Sequence, residues 1–248
     1  MEPITPSSER FLAGKTSLIT GGSRGIGFAI ARKLGELGSR VSVCSRDGKR
    51  LESAASELER AGIEVFAMQC DVTRPADIDA FVQKTESSLG HVDIAVNNAG
   101  VGLFGPSHEA SEADWDSVLD TNLKSVFLMT KALAPRMILR RSGHIINIAS
   151  LAGKNAFAGG GIYCASKWGL LGFTQCVAED LRGYGIRVSA ICPGSVATEF
   201  SHGGGPAKGK DSSKMLQADD IAHAVVMLVT QAPQSFISEV VMRPTQKP

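Results

Sequence analysis

Thr16-Ser-Leu-Ile-Thr20, then Gly21-Gly-Ser-Arg-Gly-Ile-Gly27, then Phe28-Ala-Ile-Ala-Arg-Lys-Leu-Gly-Glu-Leu37 is the stretch that decides the fold. It reads as a short buried strand, a glycine turn and an amphipathic helix. Glycines let a chain turn tightly and bring its backbone close to a pyrophosphate, which the following helix N-terminus attracts. Gly21, Ser23, Arg24, Gly25, Ile26 and Gly27 are therefore candidate contacts for a dinucleotide. The spacing is G-x-x-x-G-x-G, and a turn used only for tight packing is the other reading of it. Gly14-Lys15-Thr16 looks like the end of a P-loop but is rejected. Glu9 stands where the first glycine belongs, and the triplet precedes its strand instead of following it.

The same alternation continues outward. Strands are expected at 40–44, 63–68, 92–96, 143–149, 185–192 and 236–241. Helices are expected at 48–61, 75–89, 111–139 with a bend near Pro135, 162–183, and from Ala218 onward. Asp47 and the Ser111–Asp114 pair carry N-cap signals. Regular strand–helix alternation without repeats or a linker predicts one α/β domain over 15–248: a doubly wound parallel sheet with helices on both faces, a Rossmann fold. Residues 1–14 read as an N-terminal extension, and the Gly-, Lys- and Ser-rich stretch 201–214 as a mobile loop.

Position within that fold gives the remaining candidates. The end of the second strand is where the adenosine ribose lies, and an acid there would bond a 2′-hydroxyl. The residues here are Ser45 and Arg46, with Arg24 facing the same place. Guanidiniums without a carboxylate suit a 2′-phosphate, so NADP(H) is expected over NAD(H). Asp71 is read either as an acceptor for the adenine amino group or as a cap before Pro75, with Val72 beside it. Asn98, Ala99 and Gly100 follow the fourth strand, where a flat cofactor must pass. Ser150 sits where the fifth strand ends. Tyr163 and Lys167 are four apart and share one helix face. An ammonium near the phenol favours the phenolate and is expected to lower its pKa. Asn122 lies mid-helix among apolar neighbours, as a core amide or a water anchor.

Bulk properties bound the function. The chain has 248 residues, 43% hydrophobic, with 26 basic against 25 acidic side chains. No basic stripe appears, which argues against nucleic acid. The first residues do not read as a signal peptide and no membrane-length apolar run appears, so neither a membrane nor export is expected and the location is read as cytoplasmic. Five scattered cysteines and five histidines lack ligand spacing, so no metal is expected and the thiols are read as reduced.

Taken together, the chain resembles the short-chain dehydrogenase/reductase family, near its 3-oxoacyl-acyl-carrier-protein reductase-like, NADP(H)-preferring group. The motifs are Thr20-Gly-Gly-Ser-Arg-Gly-Ile-Gly27, Asn97-Asn-Ala-Gly100, Asn122, Ser150, Tyr163-x-x-x-Lys167 and Pro193-Gly194 with Thr198, in the family's order from about Lys15 to Val241. The resemblance implies an oxidoreductase interconverting a carbonyl, ketone or 3-oxoacyl, with a secondary alcohol by hydride transfer. Tyr163 would be the general acid or base and Lys167 would bind the nicotinamide ribose. Ser150 would hold the substrate oxygen, and Asn122 would anchor a water relay. Ile148 would floor the cofactor site, and Val196 and Thr198 would meet the carboxamide. Ala152, Phe157 and Ser195, with Phe104 and Phe200, would line the substrate pocket. The family's assembly implies a homotetramer or homodimer, the dimer through helices around 111–139 and 162–183. The alternatives are an NAD-dependent sugar or secondary-alcohol dehydrogenase and a non-catalytic NADP(H)-binding regulator.

Overall fold

The structure, a computed structural model, describes residues 10–202 and 211–248. Most of the expected 201–214 loop therefore lies outside the described residues. Seven parallel strands form one sheet in the order β3-β2-β1-β4-β5-β6-β7. They are β1 (Thr16–Thr20), β2 (Arg40–Ser45), β3 (Val65–Gln69), β4 (Ile94–Asn97), β5 (Gly143–Ile148), β6 (Ile186–Pro193) and β7 (Glu239–Met242). The helices are α1 (Gly25–Glu36), α2 (Gly48–Arg60), α3 (Pro75–Leu89), α4 (Glu112–Leu119), α5 (Ser125–Arg140), α6 (Gly161–Arg182) and α7 (Ala218–Val229).

The five inner strands of the sheet are buried on both faces, which is why they read as near-continuous apolar runs. Successive side chains point to opposite faces. Ile19 and Ile146 join a core with Ile30 and Leu34 of α1 and Ile221 and Val225 of α7. Their neighbours Leu18 and Ile145 join a second core with Phe81 of α3, Leu133 of α5 and Leu181 of α6. Each fully buried Leu or Ile contributes about 1.5–3 kcal/mol. The strand order reverses at β1, which pairs with β2 on one side and β4 on the other. Ligands of open α/β sheets bind at this switch point, outside the carboxyl ends of the strands.

Three expectations shift in detail. Ile63 and Glu64 do not begin β3. Gly62 takes a φ of +79°, the Gly62 N–H donates to Glu59 O at 2.9 Å and that of Ile63 to Leu58 O at 3.2 Å, a Schellman closure of α2. The long helix runs without a break through Pro135, which lies on the exposed face of α5. Its irregularity is a π-helical turn over Asp120–Lys124, centred on Asn122. The last strand starts at Glu239, because Phe236 and Ile237 approach β6 through one side-chain bond, Ser189 Oγ to Ile237 O at 2.7 Å. Within the stretch read as an extension, Leu12 is buried in the α1 core and its N–H donates to Leu37 O at 3.0 Å.

Candidate active site

The glycine turn closes β1 onto α1 by backbone contact. Gly21 and Gly25 hold φ of +66° and +54°, a region that side chains rarely enter. A Cβ on Gly27 would collide with Gly21 O and the Asn98 amide. That amide donates to Thr20 O at 3.0 Å and Gly21 O at 3.2 Å. Thr20 Oγ1 in turn accepts from the backbone N–H groups of Asn98 and Ala99, both at 3.0 Å. The ends of β1 and β4 are thus pinned together at the switch point. One strand position earlier, Asn97 Nδ2 donates to Asn147 Oδ1 at 2.8 Å, locking β4 to β5.

A cleft of about 660 Å³ runs from this turn across the carboxyl ends of the strands. Of the site residues expected from the sequence, all but Gly27, Asp71 and Asn122 line it. Gly27 serves the helix–strand packing just described. The Asp71 carboxylate accepts from Thr73 N at 3.0 Å and Thr73 Oγ1 at 2.8 Å, both on Oδ1, which is the capping role read for it before α3. The Asn122 amide is fully engaged. Its Oδ1 accepts from Val101 N at 2.8 Å, and its Nδ2 donates to Val101 O at 2.9 Å and Ser166 Oγ at 3.0 Å. It ties the loop after β4 to α6, behind Lys167.

At the β2 end, Ser23 Oγ donates to Ser45 Oγ at 3.0 Å. Asp47, also on the cleft wall, accepts from Arg50 N at 3.1 Å as the α2 cap. Arg24 and Arg46 line the cleft as expected, and so does Arg50, which no motif marked. Arg24 and Arg50 both pair with Glu199. Glu199, Asn155 and Arg243 are further wall residues that no motif marked.

The chemical groups meet mid-cleft. Ser150 follows β5 and caps a 3-10 turn over Leu151–Gly153, its Oγ accepting from Ala152 N at 3.1 Å. A Cβ at Gly153 would stand 2.8 Å from Lys167 O, so this glycine lets the turn lie against α6 and brings Ser150 to Tyr163. Tyr163 is 9% exposed and Lys167 is 5% exposed. Lys167 Nζ donates to Ile148 O at 3.0 Å and stands 5.8 Å from the Tyr163 ring centroid. Burial pushes the Tyr163 phenol up to about 12, although a hydrogen bond with Ser150 acts the other way. Burial pulls Lys167 down to about 8. The direction is opposite to the expected lowering of the phenol: desolvation is the largest influence, and Tyr163 holds its proton at neutral pH.

Phenylalanines enclose that hydroxyl-bearing ring. Phe104 and Phe200 have centroids 5.3 and 6.0 Å from Tyr163, and Phe157 stands 6.2 Å from Phe104. Gly102 makes room for them, since a Cβ there would lie 2.7 Å from Phe104 and 2.9 Å from Phe200.

The family model described as short chain dehydrogenase matches residues 15–208. The chain belongs to the short-chain dehydrogenase family. This agrees with the parallel sheet, the glycine turn and the Ser150–Tyr163–Lys167 arrangement. Among curated members, the granaticin polyketide synthase putative ketoacyl reductase 1 of Streptomyces violaceoruber is 44% identical over 191 residues, covering 76% of this chain and 70% of that one. A metagenomic short-chain oxidoreductase solved in complex with NADP has a TM-score of 0.84 at 46% identity, over 96% of this chain and 100% of that one. A variant actinorhodin polyketide ketoreductase solved with NADPH has a TM-score of 0.87 at 33% identity, over 93% and 96% of the two chains.

Proposed function

We propose that this short-chain dehydrogenase is an NADP(H)-dependent reductase of ketones bearing an apolar, ring-sized substituent. The observation that carries the reading is the buried, protonated Tyr163 hydroxyl beside Ser150 and Lys167, in one cleft with the glycine turn. The residues present fit the coenzyme. The glycine turn offers bare backbone to a pyrophosphate, and Asn98, Ala99 and Ile148 line the path beyond it. At the β2 end, Arg24, Arg46 and Arg50 face the cleft. The carboxylates there are both engaged: Asp47 caps α2 and pairs with Arg50, and Glu199 pairs with Arg24 and Arg50.

Bound NADPH supplies the hydride. Ser150 Oγ donates to the substrate oxygen, where negative charge develops as the carbonyl is reduced. Tyr163 delivers its proton to that oxygen, and the charge left on the phenol is stabilised by the Lys167 ammonium. Asn122 holds the loop after β4 against α6 and so keeps Lys167 in place. Val196 and Thr198 line the cleft where they would meet the transferring end of the coenzyme. Phe104, Phe157 and Phe200, with Ala152 and Ser195, exclude water around the reacting carbonyl and favour a flat apolar group.

A second copy of the chain is part of this reading, as a homodimer or homotetramer. Phe127 of α5 and Trp168 of α6 are 46% and 53% exposed on neighbouring helices, and the Phe127 and Phe173 rings stand 6.3 Å apart edge-on. A cytoplasmic location accompanies it, supported by five free cysteines. Among the described residues no helix is long and apolar enough to cross a membrane.

The test is coenzyme oxidation on addition of an aryl methyl ketone. NADPH should be consumed one for one with alcohol formed, and NADH far more slowly. Faster consumption of NADH, or none of either, would defeat the reading.

A further inference from the structure

Two guanidiniums from different walls of the cleft meet on one carboxylate oxygen. Arg24 belongs to the glycine turn, Arg50 to the first turn of α2, and Glu199 follows Thr198 beyond β6. Arg50 Nη1 reaches Glu199 Oε2 at 2.8 Å, and Arg24 Nη1 bonds the same oxygen. Asp47 Oδ2 supports Arg50 from behind, 3.3 Å from its Nε. Hydrogen bonds from Arg50 and then Arg24 hold the Glu199 carboxyl below the usual carboxylate range, so it is an anion throughout the neutral range. Arg46 lines the same end of the cleft and makes no ion pair among the described residues.

A carboxylate and a phosphate ask the same thing of a guanidinium: a planar donor pair aimed at an anionic oxygen. All three side chains are more than half exposed, and exposed ion pairs are individually weak and exchangeable. Glu199 therefore fills a ready anion site without sealing it.

We propose that Glu199 is an internal placeholder for the coenzyme's 2′-phosphate: it holds Arg24 and Arg50 in position and then yields both to the phosphate, which makes Arg50 a phosphate ligand and Glu199 a determinant of coenzyme choice. This rests on the NADP(H) reading above. NADH carries nothing to displace the carboxylate, so its binding leaves the ion pairs standing. NADPH binding breaks them, and Glu199 lowers the affinity of NADPH alone. Phe200, the next residue, packs against Tyr163, so exchange at the phosphate end also bears on the substrate pocket.

The experiment is a nicotinamide-fluorescence titration of NADPH and of NADH into the wild type, Glu199→Gln, Arg50→Ala and the double variant. Glu199→Gln should tighten NADPH by about threefold and leave NADH unchanged. Arg50→Ala should weaken NADPH by about tenfold with little effect on NADH. The gain from Glu199→Gln should shrink when residue 50 is already alanine, because the two changes share one interaction. Equal weakening of both coenzymes by Glu199→Gln would make the residue a clamp on its own segment and overturn the proposal. An unchanged NADPH affinity in Arg50→Ala would overturn it as well. A wild type that binds neither coenzyme would bring down the coenzyme reading itself, a result distinct from either of those.

Discussion

Around Gly21 and Gly25 the cleft wall is main chain, held by the Thr20 hydroxyl and the Asn98 amide. Around Phe104, Phe157 and Phe200 it is a set of rings standing on two loops and a short 3-10 turn. The first end is closed to side chains at two of its glycines: a Cβ on Gly27 meets a carbonyl, and one on Gly22 comes 2.7 Å from Val43. The second end is looser, with Phe200 42% exposed. One end fixes a ligand that every turnover shares. The other is built from side chains that can be exchanged without disturbing the sheet, which suits a fold that carries many substrates.

The largest test breaks the first end. Gly27→Val forces its side chain into Gly21 O, which no rotamer relieves. Thermal melting should show a loss of about 1–3 kcal/mol, and the NADPH fluorescence signal should vanish. A variant that still binds NADPH normally would mean the turn is not a backbone cradle.

The next test addresses the junction between the two ends. Lys167 is a cation below about pH 8, and Tyr163, at about 12, keeps its proton well above that. Reduction needs both protonated forms, so kcat/KM for NADPH should be level below pH 8 and fall about tenfold per unit above it. Lys167→Arg, which stays cationic, should move that limb upward. A profile level to pH 10 would show that the charge on Lys167 is not needed.

The smallest effect is expected at the second end. Phe200→Ala should raise KM for an aryl ketone by about threefold, in keeping with a ring that is only partly buried, and leave NADPH affinity unchanged. An equal change in both would erase the distinction between the two ends.

These differences also explain what could be read from the chain. The glycine turn is legible because only glycine fits those positions, so the constraint is written at the positions themselves. Ser150, Tyr163 and Lys167 are legible because strand end and helix spacing place them. The protonation of Tyr163 is not, since it depends on enclosure by Phe104 and Phe200 from distant loops. Arg50 is hidden for a related reason: no motif marks it, and only the fold brings Glu199, 149 positions later, beside it. The π-helical turn at Asn122 escaped because Pro135 is the louder local signal, yet Pro135 faces solvent and leaves α5 continuous.

The central claim is that the Tyr163 hydroxyl is the proton donor of a carbonyl reductase. Tyr163→Phe removes that hydroxyl and keeps the ring packed between Phe104 and Phe200. NADPH affinity and kcat for an aryl ketone, measured on one preparation of this variant, are the most direct test. The account predicts wild-type NADPH binding with kcat reduced by about 10²–10⁴-fold. Undiminished turnover by Tyr163→Phe would contradict it.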